Sequence, residues 1–208
     1  VRLANWMHLV KPAAFDLYQD KVLDHAKVVV LSLLGGQGYW EYGFERLQEW
    51  SKKNHRTLII VPGDDTPDKS LFEASNVSHE DATRVWRFIR ESGSDNSVQL
   101  FNFLASAYLN TNDQWHDPQV LPRCMMYMPA SFSAEGKGHK HNQASLAEWQ
   151  QRWKTLDDAD KRPVCILLFY RSHVQSANTR MFDELINTLE HQGLNPLPVA
   201  LSSLKEQE

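Results

Sequence analysis

The sequence predicts an α/β fold, and three observations carry that prediction. Two strand–helix–strand patterns stand apart in the chain, one within residues 27–61 and one within 164–201. Their strands are continuous apolar, β-branched runs of the kind that parallel sheets bury on both faces. The long stretch between them carries apolar residues at helical spacing.

The first strand is KVVVLSLL at residues 27–34. Its period alone does not separate strand from helix; the turn Gly35-Gly36-Gln37-Gly38 that closes it does. A helix follows with Phe44, Leu47 and Trp50 on one face, and TLIIV at 57–61 returns as a second strand before Pro62 and Gly63. Ser78, three residues before Asp81, is placed to cap a helix carrying Val85, Trp86, Phe88 and Ile89. Beyond Asp95 and Asn96 a further helix is predicted, with Val98, Phe101, Leu104, Ala107 and Tyr108 as a core face. Residues 124–128 read as a short strand and 133–143, SAEGKGHKHNQ, as a solvent-exposed loop. Ser145 and Glu148 have capping-box spacing ahead of a helix bearing Leu146, Trp149, Trp153 and Leu156.

The charged stretch DDADKRP at 157–163 reads as a domain break. VCILLFY at 164–170 then repeats the buried-strand signature, and Asn178 is placed to cap a helix whose Met181, Phe182, Leu185, Ile186 and Leu189 share a face. That helix stops at Gly193 before a strand at 197–201. The expected organisation is therefore a Rossmann- or flavodoxin-like parallel-sheet domain over 1–160, with a helical segment at 78–110 inserted in it. Residues 161–208 form the first βαβ unit of a second, truncated α/β domain. The chain opens on Val1 and reads as a fragment.

Composition narrows the function classes. With 208 residues, 42% of them hydrophobic and 11% aromatic, the chain can bury a core, which excludes disorder and fibre. It carries 22 basic and 26 acidic residues, a net charge of −4, with no long run of either sign, so nucleic acid is not an expected partner. No apolar run approaches the roughly 20 residues of a membrane span, and no signal peptide is visible. Cys124 and Cys165 form no CxxC pair, which points to a reducing, cytoplasmic setting without a disulfide framework.

In an open parallel sheet, ligands bind beyond the carboxyl ends of the strands, so the loops there are the candidate sites. The loop at 35–43 lacks both the GxGxxG and the GxxxxGK[ST] spacing and reads first as a turn packed by Tyr39 and Trp40. Pro62-Gly63-Asp64-Asp65 sets two adjacent carboxylates at a strand end, able to hold a cation or a substrate hydroxyl, though such pairs also cap turns. Tyr170-Arg171-Ser172-His173 is the richest loop: Arg171 can fork onto a carboxylate, and His173 can take a proton. His139 and His141, with Cys124 and His116 at a distance, fit no standard zinc spacing, and no resident metal site is predicted.

Several stretches resemble one family in their order and spacing. They are Val1-Arg2-Leu3-Ala4-Asn5, Leu33-Leu34-Gly35-Gly36, Tyr39-Trp40, Tyr42-Gly43 and Pro62-Gly63-Asp64-Asp65, then Leu168-Phe169-Tyr170-Arg171-Ser172-His173, Asn178-Thr179 and Ser202-Ser203-Leu204. The chain resembles the N-terminal region of the large subunit of cobaltochelatase and, more distantly, that of magnesium chelatase. Residues 110–160 carry little of the likeness. Ser172 stands where the family commonly has Ala, and the histidines at 139 and 141 are outside its pattern.

The resemblance implies a metal chelatase subunit that inserts Co²⁺, as substrate, into the corrin precursor hydrogenobyrinic acid a,c-diamide in cobalamin biosynthesis. AAA+ motor subunits would hydrolyse the ATP, and this fragment alone would not turn over. On that reading His173 is the catalytic candidate, and Tyr170, Arg171, Asn178, Asp64 and Asp65 are the tetrapyrrole-binding candidates. Two other readings are a non-catalytic docking module of a magnesium chelatase large subunit and a free-standing flavodoxin-like ligand-binding protein. A finished cobalamin is not expected, because no DxHxxG pattern follows any strand.

Overall fold

A computed structural model of the chain describes residues 1–53, 55–132, 142–158 and 161–203. It is a mixed α/β protein that divides into two compact units, Val1–Arg90 with Asn96–Gln119, and Glu91–Asp95 with Val120–Glu208.

The first unit begins with α1 (Pro12–Lys21) and the predicted βαβ unit, β1 (Val28–Leu33), α2 (Glu41–Ser51) and β2 (Thr57–Pro62). β1 and β2 pair in parallel from Val28↔Thr57 to Leu33↔Pro62. β2 is buried from Leu58 to Pro62, as its unbroken apolar run requires. Phe44, Leu47 and Trp50 of α2 lie in a core with Phe15, Leu31, Leu58 and Ile60. Trp40 joins that core, stacks on Trp6 at 5.7 Å and donates its indole N–H to the Leu9 carbonyl at 3.2 Å, which ties down the N-terminal segment.

The other face of β2 packs against three helices, α3 (Lys69–Glu73), α4 (His79–Glu91) and α5 (Ser94–Tyr108). Ser78 caps α4 through the Asp81 amide at 3.1 Å. In α5 the core face differs from the expected one: Phe103 and Leu104 are buried, whereas Val98 and Phe101 are exposed. The helix starts at Ser94, and Asn96 is fully buried, exchanging hydrogen bonds with the Gln119 backbone at 2.9 Å in both directions. Apolar spacing alone did not signal that a polar residue anchors this helix.

The second unit holds β3 (Cys124–Tyr127), β4 (Gln143–Ala144), α6 (Leu146–Trp153), β5 (Val164–Tyr170), α7 (Ser172–Gln175), α8 (Arg180–His191) and β6 (Asn195–Leu201). Its sheet runs in the order β4-β3-β6-β5. β5 and β6 are parallel through the α8 crossover, while β3 is antiparallel to both β6 and β4. The sheet is therefore mixed.

The break at 157–163 lies inside this unit and not at a boundary near 160, because β3 hydrogen-bonds to β6 across it. Arg162 also closes the segment by donating to the carbonyls of Asp157 at 2.8 Å and Glu190 at 2.9 Å. The capping box at Ser145 and Glu148 forms in both directions, and Trp149 beneath it is fully buried.

Two expectations for the last βαβ unit are corrected. β5 is buried on one face only, that of Cys165, Leu167 and Phe169, and it is the terminal strand of the sheet as described. The residue flanking α8 is Thr179, whose side chain makes no cap bond to the helix backbone, and not Asn178; of the predicted face, Phe182 and Ile186 are buried while Met181 and Leu185 are exposed.

Candidate functional site

Two strand-end loops of the first unit converge. Gly35 and Gly36 turn the chain out of β1 with φ of 85° and 79°, a region that side chains with a Cβ avoid. With Pro62, Asp64, Thr66 and Asp68 they line a cleft of about 300 Å³ at the carboxyl ends of β1 and β2. The cleft lies at the strand ends where the parallel-sheet argument looks for ligands.

Within the cleft the carboxylates have separate roles. Asp64 Oδ1 accepts the Thr66 amide at 3.0 Å and its carbonyl accepts the Trp86 indole N–H at 3.0 Å, so Asp64 turns the chain and lines the cleft together. Asp65 is exposed and, unlike Asp64, is not part of the lining.

The second carboxylate of the cleft is Asp68, which the sequence reading missed although an Asp just before a short helix is a capping signal. Its Oδ1 accepts from the Ser70 hydroxyl at 2.6 Å and from the amides of Ser70 and Leu71 at 2.9 and 3.3 Å. The Ser70 hydroxyl, with those amides, holds its carboxyl below the usual range. The cleft can accept hydrogen bonds from amide or hydroxyl groups.

In the second unit β5 delivers the loop at 170–173. The Arg171 amide continues the ladder to the Leu201 carbonyl at 2.8 Å. Its guanidinium Nη1 donates to the carbonyls of Leu121 at 2.6 Å and Pro122 at 3.3 Å. One arm of the guanidinium is therefore a staple inside the unit.

His173 lies in α7 with its ring edge-on to Phe182 at 4.9 Å, and its carbonyl accepts the Asn178 amide at 2.8 Å. Phe182 in turn stacks on Phe169 at 4.2 Å, on the α8 side of β5. Tyr170, the next residue, points to the opposite face of the strand and is 53% exposed. The loop thus directs the Arg171 guanidinium to the Leu121 and Pro122 carbonyls and the His173 ring to Phe182, and sends the Tyr170 ring to the other side of the sheet.

A buried polar cluster in this unit was invisible to the sequence. The fully buried Tyr127 donates its hydroxyl to Asp183 Oδ1 at 2.6 Å, Thr179 donates to Asp183 Oδ2 at 3.2 Å, and the Asn142 amide reaches the Tyr127 hydroxyl at 3.3 Å. Burial, reinforced by the Asp183 carboxylate, pushes the Tyr127 phenol up to about 12. Tyr127 and Asp183 are 56 residues apart, and no local pattern links them.

Among the described residues no group of three or more His, Cys, Asp or Glu side chains could hold a metal ion. His139 and His141 lie outside the described residues. No described helix is long and apolar enough to cross a membrane.

A profile described as CobN/Magnesium Chelatase matches residues 86–208. The chain belongs to the CobN/magnesium chelatase family. An aerobic cobaltochelatase subunit CobN from Pseudomonas aeruginosa is 43% identical over 206 residues, 99% of this chain and 15% of that protein. A CobN of the same description from Sinorhizobium is 32% identical over 209 residues, 99% of this chain and 16% of that one. The catalytic subunit of cobaltochelatase from Mycobacterium tuberculosis shares the fold with a TM-score of 0.68 at 23% identity, over 93% of this chain and 14% of that structure. The chain spans about 15% of the length of the curated relatives it matches. The family match takes in Tyr170, Arg171, His173 and Asn178, whereas Asp64 and Asp65 precede it.

Proposed function

We propose that the chain is the N-terminal region of the large, tetrapyrrole-binding subunit of a cytoplasmic, ATP-dependent cobaltochelatase. The complete subunit inserts Co²⁺, its substrate, into hydrogenobyrinic acid a,c-diamide, and AAA+ partner subunits hydrolyse the ATP. The observation that carries this reading is the 43% identity, along 99% of the chain, to a protein named as a cobaltochelatase subunit. Cobalt is favoured over magnesium because both curated CobN relatives are named for it.

Metal insertion displaces ring N–H hydrogen as a proton, so the reaction needs a proton acceptor and contacts for a macrocycle bearing carboxylates and amides. Imidazole suits both the proton and a borderline metal in transit. His173 is the candidate acceptor. Arg171 keeps Nε and Nη2 without a hydrogen bond among the described residues, which leaves donors for a substrate carboxylate while Nη1 holds the backbone. Asn178 is exposed, and its backbone amide donates to the His173 carbonyl at 2.8 Å. In the first unit, Asp64 of the cleft can receive the amide N–H groups of the diamide, and Asp65 stands next to it in solvent.

The test is a titration of the full-length subunit with hydrogenobyrinic acid a,c-diamide, followed by macrocycle absorbance. Arg171→Lys with Asn178→Ala should weaken binding about tenfold or more, in the range of losing a charge-assisted contact. Unchanged binding moves the macrocycle site to the rest of the subunit and leaves this region as a docking module.

A further inference from the structure

The second sheet presents one covered and one open face. On β5 and β6 the side chains of Ile166, Leu168 and Tyr170 stand beside Leu197, Val199 and Leu201 in register. Ile166, Leu168 and Tyr170 are 62%, 51% and 53% exposed, whereas Phe169 on the other face is buried in a core with Phe182 and Ile186 of α8. Sheets that are parallel throughout are covered on both faces and have strands of continuous apolar residues, the composition that β5 shows.

The edge is as unusual as the face. β5 is the outer strand of the described sheet, seven residues long and without a charge, a proline or a β-bulge partner. Strands that remain at an edge carry such protection, because a flat apolar edge pairs with other chains. β5 has the composition of an interior strand.

We propose that in the intact subunit a further helix–strand segment of the same polypeptide completes this sheet, its strand pairing in parallel with the free edge of β5 and its helix covering the Ile166–Leu168–Tyr170 face. The curated relatives are several times longer than this chain, so the intact protein holds ample polypeptide for it. Handedness fixes the face. β5-α8-β6 steps across the sheet one way with α8 on one side. A unit leaving β6 and returning past β5 steps the other way, and a right-handed crossover then places its helix on the side opposite α8.

The strand order would reverse beside β5, which makes the loop Tyr170-Arg171-Ser172-His173 a topological switch point, the position where open α/β sheets bind ligands. The incoming segment would form the second wall of that crevice. This consequence rests on the functional reading above; the covering of the face does not.

The test is thiol labelling of the full-length subunit carrying Leu168→Cys, with Lys154→Cys, exposed at the end of α6, as reference. Leu168→Cys should label at least tenfold more slowly than Lys154→Cys, equally so at every dilution. Equal labelling overturns the proposal, and protection that fades on dilution assigns the face to a second copy or to a partner subunit instead. Hydrogen exchange of the unsubstituted full-length subunit gives an independent reading. All amides of residues 164–170 should exchange slowly, and rapid exchange of about half of them would show a free edge and overturn the proposal. Neither readout depends on macrocycle binding, so failure here is distinct from failure of the functional reading.

Discussion

Arg152 and Glu190 form a two-pronged ion pair, Nε to Oε1 at 3.1 Å and Nη2 to Oε2 at 2.7 Å, that ties α6 to the last turn of α8. Glu190 is only 7% exposed, and the Arg152 guanidinium also lies 3.9 Å from the centre of the Phe132 ring. Removing one partner strands a buried charge. Arg152→Ala should destabilise the second unit by about 3 kcal/mol, whereas Arg152→Met with Glu190→Leu should restore most of it. Denaturant unfolding monitored by tryptophan fluorescence checks both; a single variant as stable as the parent contradicts the assignment.

The Tyr127–Asp183 pair predicts a response to alkali. The phenol is raised from 10.0 to about 12 by burial and by Asp183, so the folded state holds its proton more tightly than the unfolded chain does. The contribution is complete below pH 10 and is lost as pH rises through about 12. Thermal stability should fall across that window, and Tyr127→Phe should flatten the fall while costing about 1–2 kcal/mol at neutral pH. A profile of the same steepness in Tyr127→Phe would rule this out.

Gly43 lies against the indole of Trp40, and a Cβ built there overlaps the ring. Because Trp40 also stacks on Trp6 and meets Phe15 edge-on at 5.5 Å, it has no free direction in which to yield. Gly43→Ala should therefore cost about 1–3 kcal/mol, although alanine is the better helix former in α2. A neutral or stabilising effect, measured by thermal unfolding, would show that Trp40 can move.

How much of this was legible depends on the range of each interaction. The βαβ unit of β1, α2 and β2, the Ser78 cap and the Ser145–Glu148 box are written in neighbouring residues, and they form as read. The strand pairing of β3 with β6 is not written locally, which is why the charged stretch at 157–163 looked like a boundary. The run VCILLFY predicts burial on both faces of β5, yet the described residues cover one. If the sheet is completed by further polypeptide, the composition of that strand reports the intact protein. The strand-end rule singles out both loops as candidates but does not foresee that Tyr170 and His173 diverge, or that Arg171 anchors the Leu121 carbonyl.

That anchoring decides how the loop after β5 must be probed. Arg171→Ala removes the staple to Leu121 and Pro122 together with any substrate contact, so loss of activity in it would be ambiguous. Arg171→Lys keeps one cationic donor near those carbonyls but loses the fork. His173→Ala removes the imidazole from a ring contact with Phe182 and leaves the backbone bond to Asn178 in place. On the function proposed above, in the full-length subunit assayed with the proposed AAA+ partners, His173→Ala should lower the rate of cobalt insertion by about a hundredfold, the range of general acid–base contributions. Macrocycle affinity should stay within about threefold of the parent. Arg171→Lys should weaken affinity and leave the maximal rate nearly unchanged, because it acts on binding. Near-normal insertion in His173→Ala would remove proton transfer from this loop and assign it to residues elsewhere in the subunit.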